Sequence, residues 1–374
     1  MGRGSHRYLW LITLTALIEG LTHFGVVEDS TPYFNVTKYI LGWEELKYPF
    51  ATVRLLTPFL AAPLVPFLGL PFSYGLVSLS FYVLTGIVSY KLAFKLTASE
   101  DVALISSLLL LTAFPMIIYG GFGIIMAGVF FQLLTCYLAI KSLNEGWRKA
   151  ASFGLISGLG LLTYEIALTG IAFALLFLLY NRRFKQVAVW LLCSMASQIV
   201  PIIVAGVNLL SWYFYGLTDG RPYSLYLLLE WFSPVLRLRQ LVLGLSPLML
   251  ISFIYAFLQE GDVRRIKMLY MMVVPSLVAF FVWPPIGVRL TLVFIHAVYW
   301  MAGLGLKAAA LKVSEKPLLH KAPSTYWAVL FVALHVLINN FLAYKWYLTA
   351  PWIVTFGPIP GLSLPSLEML SFKR

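Results

Sequence analysis

Charge is what this chain has least of. Lysine, arginine, aspartate and glutamate make up 11% of its 374 residues, against about 25% in a soluble domain. Acidic residues are the scarcer kind, at 15. This deficit excludes an ordinary soluble domain. Cysteine is nearly absent: the 2 present, Cys136 and Cys193, fall inside apolar runs, giving neither a disulfide framework nor a metal-binding spacing. There is no G-x-x-x-x-G-K-[ST] phosphate loop, no H-E-x-x-H zinc motif and no G-x-S-x-G nucleophile elbow, so none of the enzyme classes that depend on them is indicated. Internal repeats, low-complexity tracts and a soluble domain are also missing, and no redox cofactor is indicated.

What is there is hydrocarbon. The chain is 60% hydrophobic, and apolar runs of roughly 17–25 residues recur, each able to cross a bilayer core of about 30 Å. They lack the period-two alternation of a membrane β-barrel. The sequence therefore describes an all-α polytopic membrane protein, one transmembrane domain over residues 1–374. About eleven spans are expected, near 8–27, 73–95, 102–119, 121–141, 149–163, 165–180, 186–210, 236–258, 267–283, 287–307 and 324–343. The run 8–27 is long for a signal peptide and contains Glu19, which reads as a retained first helix. Thr163-Tyr164-Glu165 cuts the short fifth and sixth spans into a broken pair.

The net charge of +12 reads as membrane orientation, with no nucleic-acid partner. Most basic residues stand in short clusters between spans, as the positive-inside rule requires. The rule also decides the segment 55–70, LLTPFLAAPLVPFLGL. It is apolar enough to span but carries three prolines, each costing about 3 kcal/mol in a helix interior. If it spanned, the clusters Lys91–Lys95, Lys141–Lys149 and Arg182–Lys185 would move outside. An external interfacial helix is therefore expected there, with the N-terminus cytoplasmic and the C-terminus external. The outer face then collects a loop at 28–72, a loop at 211–235 and a tail at 344–374.

The first outer loop is where chemistry is expected. Four carboxylates, Glu28, Asp29, Glu44 and Glu45, cluster in it. A carboxylate at the mouth of a cavity can serve as general base on a hydroxyl; it can equally be a charge flanking the membrane. Arg289 is the sharpest cation, in Trp283-Pro284-Pro285-Ile286-Gly287-Val288-Arg289. Its planar fork of donors suits phosphate, and His296 follows on the same helical face. Simple snorkelling to headgroups is the plainer reading of Arg289. Arg221 lies in the second outer loop among tyrosines, either a sugar platform or an aromatic belt. Glu19 and Glu165 are expensive intramembrane carboxylates whose partners the sequence does not name. Arg237 and Arg239 suit lipid phosphates. Gln198, Asn208, His335, Asn339 and Asn340 suit interhelical hydrogen bonds. Asn35-Val36-Thr37 is a sequon.

The order of parts resembles the GT-C membrane glycosyltransferases. Glu28-Asp29 with Tyr33 matches their acidic loop opening. Tyr48-Pro49-Phe50-Ala51-Thr52-Val53-Arg54-Leu55-Leu56-Thr57-Pro58 looks like their "Y-R-x-L-x-P" stretch. Gly158-Leu159-Gly160-Leu161-Leu162-Thr163-Tyr164-Glu165 looks like their "G-L-x-L-L-T-K-E" turn. Two features depart: Tyr164 stands where the turn has lysine, and the outer turn 119–123 has no carboxylate.

The resemblance implies an inverting transferase that moves a sugar from a polyprenyl-phosphate donor to a glycan, lipid or protein acceptor. Asp29 or Glu28 would be the base, Arg289 and Arg221 would bind donor phosphate, and Tyr33, Arg54, Glu165 and His296 would line the substrate. No metal or cofactor is expected, although the loop carboxylates are of a kind that can bind a cation. Two other classes fit the same composition: a transporter or lipid flippase, and a non-catalytic subunit of this architecture.

Overall fold

The structure is a computed structural model that describes residues 8–23, 25–27, 31–120, 123–211, 233–282, 288–316, 323–349 and 353–355. Glu28, Asp29 and Arg221, with Asp219, lie outside the described residues. The described part is helical apart from one ribbon of two short strands, β1 (Gly25–Val27) and β2 (Ile353–Thr355), paired antiparallel. This ribbon ties the chain just before the acidic loop to the chain just after the last helix.

Each of the eleven expected segments contains a helix or two helices in tandem, but the first, 8–27, is helical only through Thr22 and ends in the strand β1, and the tenth, 287–307, opens on a 3-10 turn. α1 is Leu9–Thr22, followed after β1 by α2 (Thr31–Ile40). The proline-rich stretch breaks into a 3-10 turn (Pro49–Arg54), α3 (Leu56–Ala61), a second 3-10 turn (Ala62–Leu64) and α4 (Val65–Leu68). Gly69 ends it at φ +72, a backbone few residues with a Cβ adopt. Next come α5 (Leu70–Thr97), α6 (Glu100–Leu111), α7 (Phe114–Tyr119), α8 (Gly123–Ser142), α9 (Trp147–Leu161) and α10 (Ala167–Tyr180). The start of α6 is written locally: the Ser99 side chain accepts from the Val102 N–H, and Glu100 and Asp101 fill the first turn, where the helix dipole favours negative charge.

α11 (Phe184–Ala196) and α12 (Ile199–Ala205) run on together. The one span expected over 236–258 is two helices, α13 (Pro234–Gly244) and α14 (Pro247–Gln259), bent by 96°. Ser246 at φ +63 makes the corner and Pro247, which lacks an N–H, opens the second helix. The Ser246 hydroxyl accepts from the Phe114 N–H at 3.0 Å, fastening the corner to α7. α15 (Val263–Val282) leads to a 3-10 turn (Val288–Phe294), then α16 (Ile295–Ser314) and α17 (Ser324–Thr349). Among the described residues, five helical stretches are long and apolar enough to cross a bilayer, or six with the bent pair.

α5, α6, α8, α10 and α16 form the centre, filled by Tyr82, Tyr90, Leu109, Phe173, Tyr299 and Trp300. Lipid tails are as apolar as leucine, so these helices associate through close fit rather than escape from water. Glycine supplies the fit at several helix contacts, two of which bear on the site. A Cβ on Gly170 of α10 would stand 2.6 Å from the Gln132 carbonyl oxygen of α8. One on Gly128 of α8 would stand 2.6 Å from the Tyr164 Cβ, so this glycine admits the turn between α9 and α10 to the core.

The bundle has two unlike ends. At one, Lys307 pairs with Asp101 at 2.9 Å, Arg265 pairs with Glu260 at 3.2 Å, Lys267 donates to the Tyr180 hydroxyl at 2.9 Å and Arg183 donates to the Leu143 carbonyl at 3.1 Å. These contacts gather the basic turns at this end. The other end carries α2, α3 and the turn between α9 and α10.

Gly170→Val is expected to overpack the α8–α10 contact by about 1–3 kcal/mol, lowering the thermal midpoint of detergent-purified protein by several degrees. Gly261→Ala, where a Cβ meets nothing within 4 Å, should leave it unchanged.

Candidate functional site

The site is built on the turn at residues 162–166. The Thr163 hydroxyl donates to the Gly160 carbonyl at 2.6 Å, ending α9, and the Leu56 N–H donates to the Leu162 carbonyl at 2.9 Å. That single backbone bond places the 3-10 turn Pro49–Arg54 beside Glu165. The Arg54 guanidinium then reaches Glu165 Oε1 through Nη2 at 2.6 Å and through Nε at 3.0 Å. It also donates to the Tyr33 hydroxyl and stacks over the Tyr164 ring, 4.5 Å from its centre. Three of the residues expected to line a substrate, Tyr33, Arg54 and Glu165, are thus in one cluster.

This pair is out of water. The side chains of Arg54 and Glu165 are 12% and 9% exposed. Burial opposes the charge on Arg54, but the Glu165 carboxylate and the Tyr33 oxygen hold its pKa above the ordinary arginine value. Burial pushes Tyr33 up to about 12, with Arg54 pulling the other way, so Tyr33 stays a neutral phenol.

α2 is held in place from behind. Tyr74 of α5 donates to the Tyr33 carbonyl at 2.9 Å and shares a 2.7 Å bond with Thr37. Asn35 stitches down the following loop: its amide donates to Glu44 Oε2 at 3.3 Å and to the Glu45 carbonyl at 3.0 Å, and its oxygen accepts from the Lys47 N–H at 2.8 Å. Asn35 is 5% exposed, so the sequon is spent on structure and is closed to a glycan in the folded state. Glu44 bonds Lys38 at 2.6 Å, and this contact holds its carboxyl below the usual range. It anchors the loop.

Glu165 also faces a cavity. About 580 Å³ lies between α10, α15 and the 3-10 turn Val288–Phe294. Leu168, Ala172 and Leu176 line one wall, Val274, Pro275 and Val278 the other, and Glu165 and Arg289 are its charged lining residues. From Leu168 to Leu176 the wall runs about 12 Å at 1.5 Å per residue. A long apolar cleft with charge at one end has the chemistry of an amphiphile's binding site, hydrocarbon below and headgroup above.

The turn that bears Arg289 is fixed by side chains. Ser276 donates to the Val293 carbonyl at 2.7 Å. Gln132 Nε2 lies 3.3 Å from the Leu292 carbonyl, 3.1 Å from that of Val293, 2.7 Å from Thr169 Oγ1 and 2.9 Å from His296 Nδ1. These bonds satisfy irregular backbone that lipid could not. His296 is fully buried with Gln132 and does not line the cavity. Its place on the Arg289 helix face does not carry over because the chain is 3-10 from Val288 to Phe294, which changes the facing.

Other polar residues find structural partners. Arg237 is 4% exposed and donates to the Phe280 carbonyl at 2.9 Å, so it packs inward rather than on lipid phosphate. Glu19 meets His23 at 3.6 Å and the Asn340 amide at 3.3 Å. His335 reaches the Leu109 carbonyl at 3.0 Å. Gln198 accepts from the Leu209 N–H at 2.9 Å, a loop contact rather than an interhelical one. Among the described residues, no three His, Cys, Asp or Glu side chains converge as metal ligands would. Sequence reasoning missed Tyr164 as the face on which Arg54 stacks; its place beside Glu165, in a turn that departs from lysine, was the available signal.

Glu165→Gln is expected to destabilise the protein by about 3–5 kcal/mol, since it strands a buried guanidinium. The double variant Arg54→Leu with Glu165→Leu should recover much of that loss. Thermal midpoints of the single and double variants in detergent check this.

No protein-family model matches the chain, and no curated protein matches it in sequence. Among solved structures, the fold is similar to that of ArnT from Cupriavidus metallidurans bound to undecaprenyl phosphate. The TM-score is 0.53 at 14% identity, over 94% of this chain and 74% of that one. The likeness is one of fold, and it is to a GT-C glycosyltransferase, the class whose motifs the sequence resembles.

Proposed function

We propose that the protein is a multi-pass membrane glycosyltransferase that moves a sugar from a polyprenyl-phosphate donor to an acceptor at the outer face of the cell membrane. The observation that carries this reading is the apolar cleft with Arg289 and Glu165 at its charged end. A polyprenyl chain suits the walls formed by α10 and α15, and its phosphate suits the Arg289 guanidinium. The structural neighbour was solved with undecaprenyl phosphate bound, which agrees with that choice.

In this reading an acceptor hydroxyl attacks the anomeric carbon, the bond from that carbon to the phosphate oxygen breaks, and the polyprenyl phosphate departs with the electron pair. Asp29 or Glu28 takes the hydroxyl proton. Arg289, with Arg221 from the second outer loop, holds the phosphate as its charge grows. The guanidinium supplies the positive charge that the leaving phosphate needs, so the scheme calls on no metal. Arg54, Tyr33 and Glu165 brace α2, the helix that follows the base in sequence, against the cavity's charged end. Eleven crossings, a cytoplasmic N-terminus at the basic end and an external C-terminus complete the topology. The chain acts as one transmembrane domain with outer segments at 28–72, 211–235 and 344–374.

The test is transfer from a panel of radiolabelled undecaprenyl-phosphate sugars to membrane-extract acceptors by purified protein. Asp29→Asn is expected to lower transfer by about 10²–10⁴-fold, the usual contribution of a general base, unless Glu28→Gln does so instead. Equal transfer by wild type and by both variants would remove the loop carboxylates from the mechanism. Arg289→Leu should lower transfer by about 10²–10³-fold, on the scale of losing one charge-stabilising donor, and should weaken retention of undecaprenyl phosphate in a binding assay.

A further inference from the structure

A second cavity, of about 550 Å³, lies at the basic end between α1, α6, α16 and α17. Its walls are Leu11, Leu104, Ile105, Leu108, Val329 and Val332, with the small side chains Ala310, Ala328 and Ala333. α17 is pinned to α6 where His335 reaches the Leu109 carbonyl. Toward Ser324 the side chains facing the gap are too short to close it. The mouth is polar: Asp101, Lys307, Ser324 and Thr325 line it.

The mouth has a particular charge pattern. The Lys307 ammonium has three protons to donate. One goes to Asp101 Oδ2 at 2.9 Å and one to Ser99 Oγ at 3.4 Å, which leaves one for a ligand. Asp101 Oδ1 accepts no hydrogen bond among the described residues, and the Asp101 side chain is 61% exposed. This groove thus presents a cation and an anion side by side above an apolar gap.

We propose that this groove binds a glycerophospholipid with a zwitterionic, amine-bearing headgroup, taken from the leaflet at the basic end. Its phosphate meets Lys307 and the Ser324 and Thr325 hydroxyls. Its ammonium donates to Asp101 Oδ1, and one acyl chain fills the alanine-lined gap. A headgroup that carries only negative charge would place its phosphate beside Asp101 with no amine to offset it. A quaternary amine has no proton to give. The inference stands apart from the proposed transferase reaction and uses neither its cleft nor its residues.

The experiment is native mass spectrometry of detergent-purified protein exchanged with phosphatidylethanolamine, phosphatidylcholine or phosphatidylglycerol of one acyl composition. Phosphatidylethanolamine is expected to be retained several-fold over the other two. Asp101→Asn should erase that preference, and Ala328→Trp, which fills the gap, should lower retention of phosphatidylethanolamine. Monodisperse elution and an unchanged lipid-free thermal midpoint certify each variant, with Ala333→Trp replacing any that fails. Equal retention of the three lipids, best retention of phosphatidylglycerol, or a preference that survives both substitutions would overturn the proposal.

Discussion

The buried contact between Arg54 and Glu165 is what the upper end of the molecule is organised around. It joins residues 111 apart in sequence, one on a proline-rich turn outside the long helices and one in the break between α9 and α10. Isolating either charge away from water is far costlier than pairing them. The turn 162–166 and the turn Pro49–Arg54 are therefore locked to one relative position. Everything placed by those turns, α2 on one side and the charged mouth of the cleft on the other, inherits that position. Tyr33 and Tyr164 complete the enclosure with one hydrogen bond and one stacked ring.

Much of the helical layout is legible because hydrocarbon demands it. Runs long enough to cross a bilayer, breaks at Pro, Gly and Ser, and basic residues between runs are all local signals, and most helices fall where those signals put them; the end of the run 8–27 does not, because Gly25–Val27 pairs as a strand with Ile353–Thr355. The bend between α13 and α14 was also written locally, in Gly244-Leu245-Ser246-Pro247, but a hydropathy average runs straight through it. The proline-rich stretch 55–70 shows the converse. There the prolines outweighed the hydropathy, and the chain breaks into short turns.

Partners are harder to read than elements. Nothing local to Glu165 names Arg54, and nothing local to Glu19 names Asn340, 321 residues away. Each is fixed by which turns meet at which end. Asn35 shows how a three-residue pattern misleads: its neighbours spell a glycan acceptor, while tertiary contacts consume the amide. His296 shows a subtler limit. Helical spacing put it beside Arg289, but that arithmetic assumes 3.6 residues per turn, and a 3-10 turn shifts the facing within seven residues.

The Gln132 amide carries one more implication. Its nitrogen has two protons and sits within reach of four acceptors, two of them carbonyls of the turn that begins beside Arg289. The Val293 carbonyl also accepts from Ser276 of α15, so the turn is held from two helices at once, α8 through Gln132 and α15 through Ser276. A shift of either helix is therefore carried straight to the backbone on which Arg289 stands.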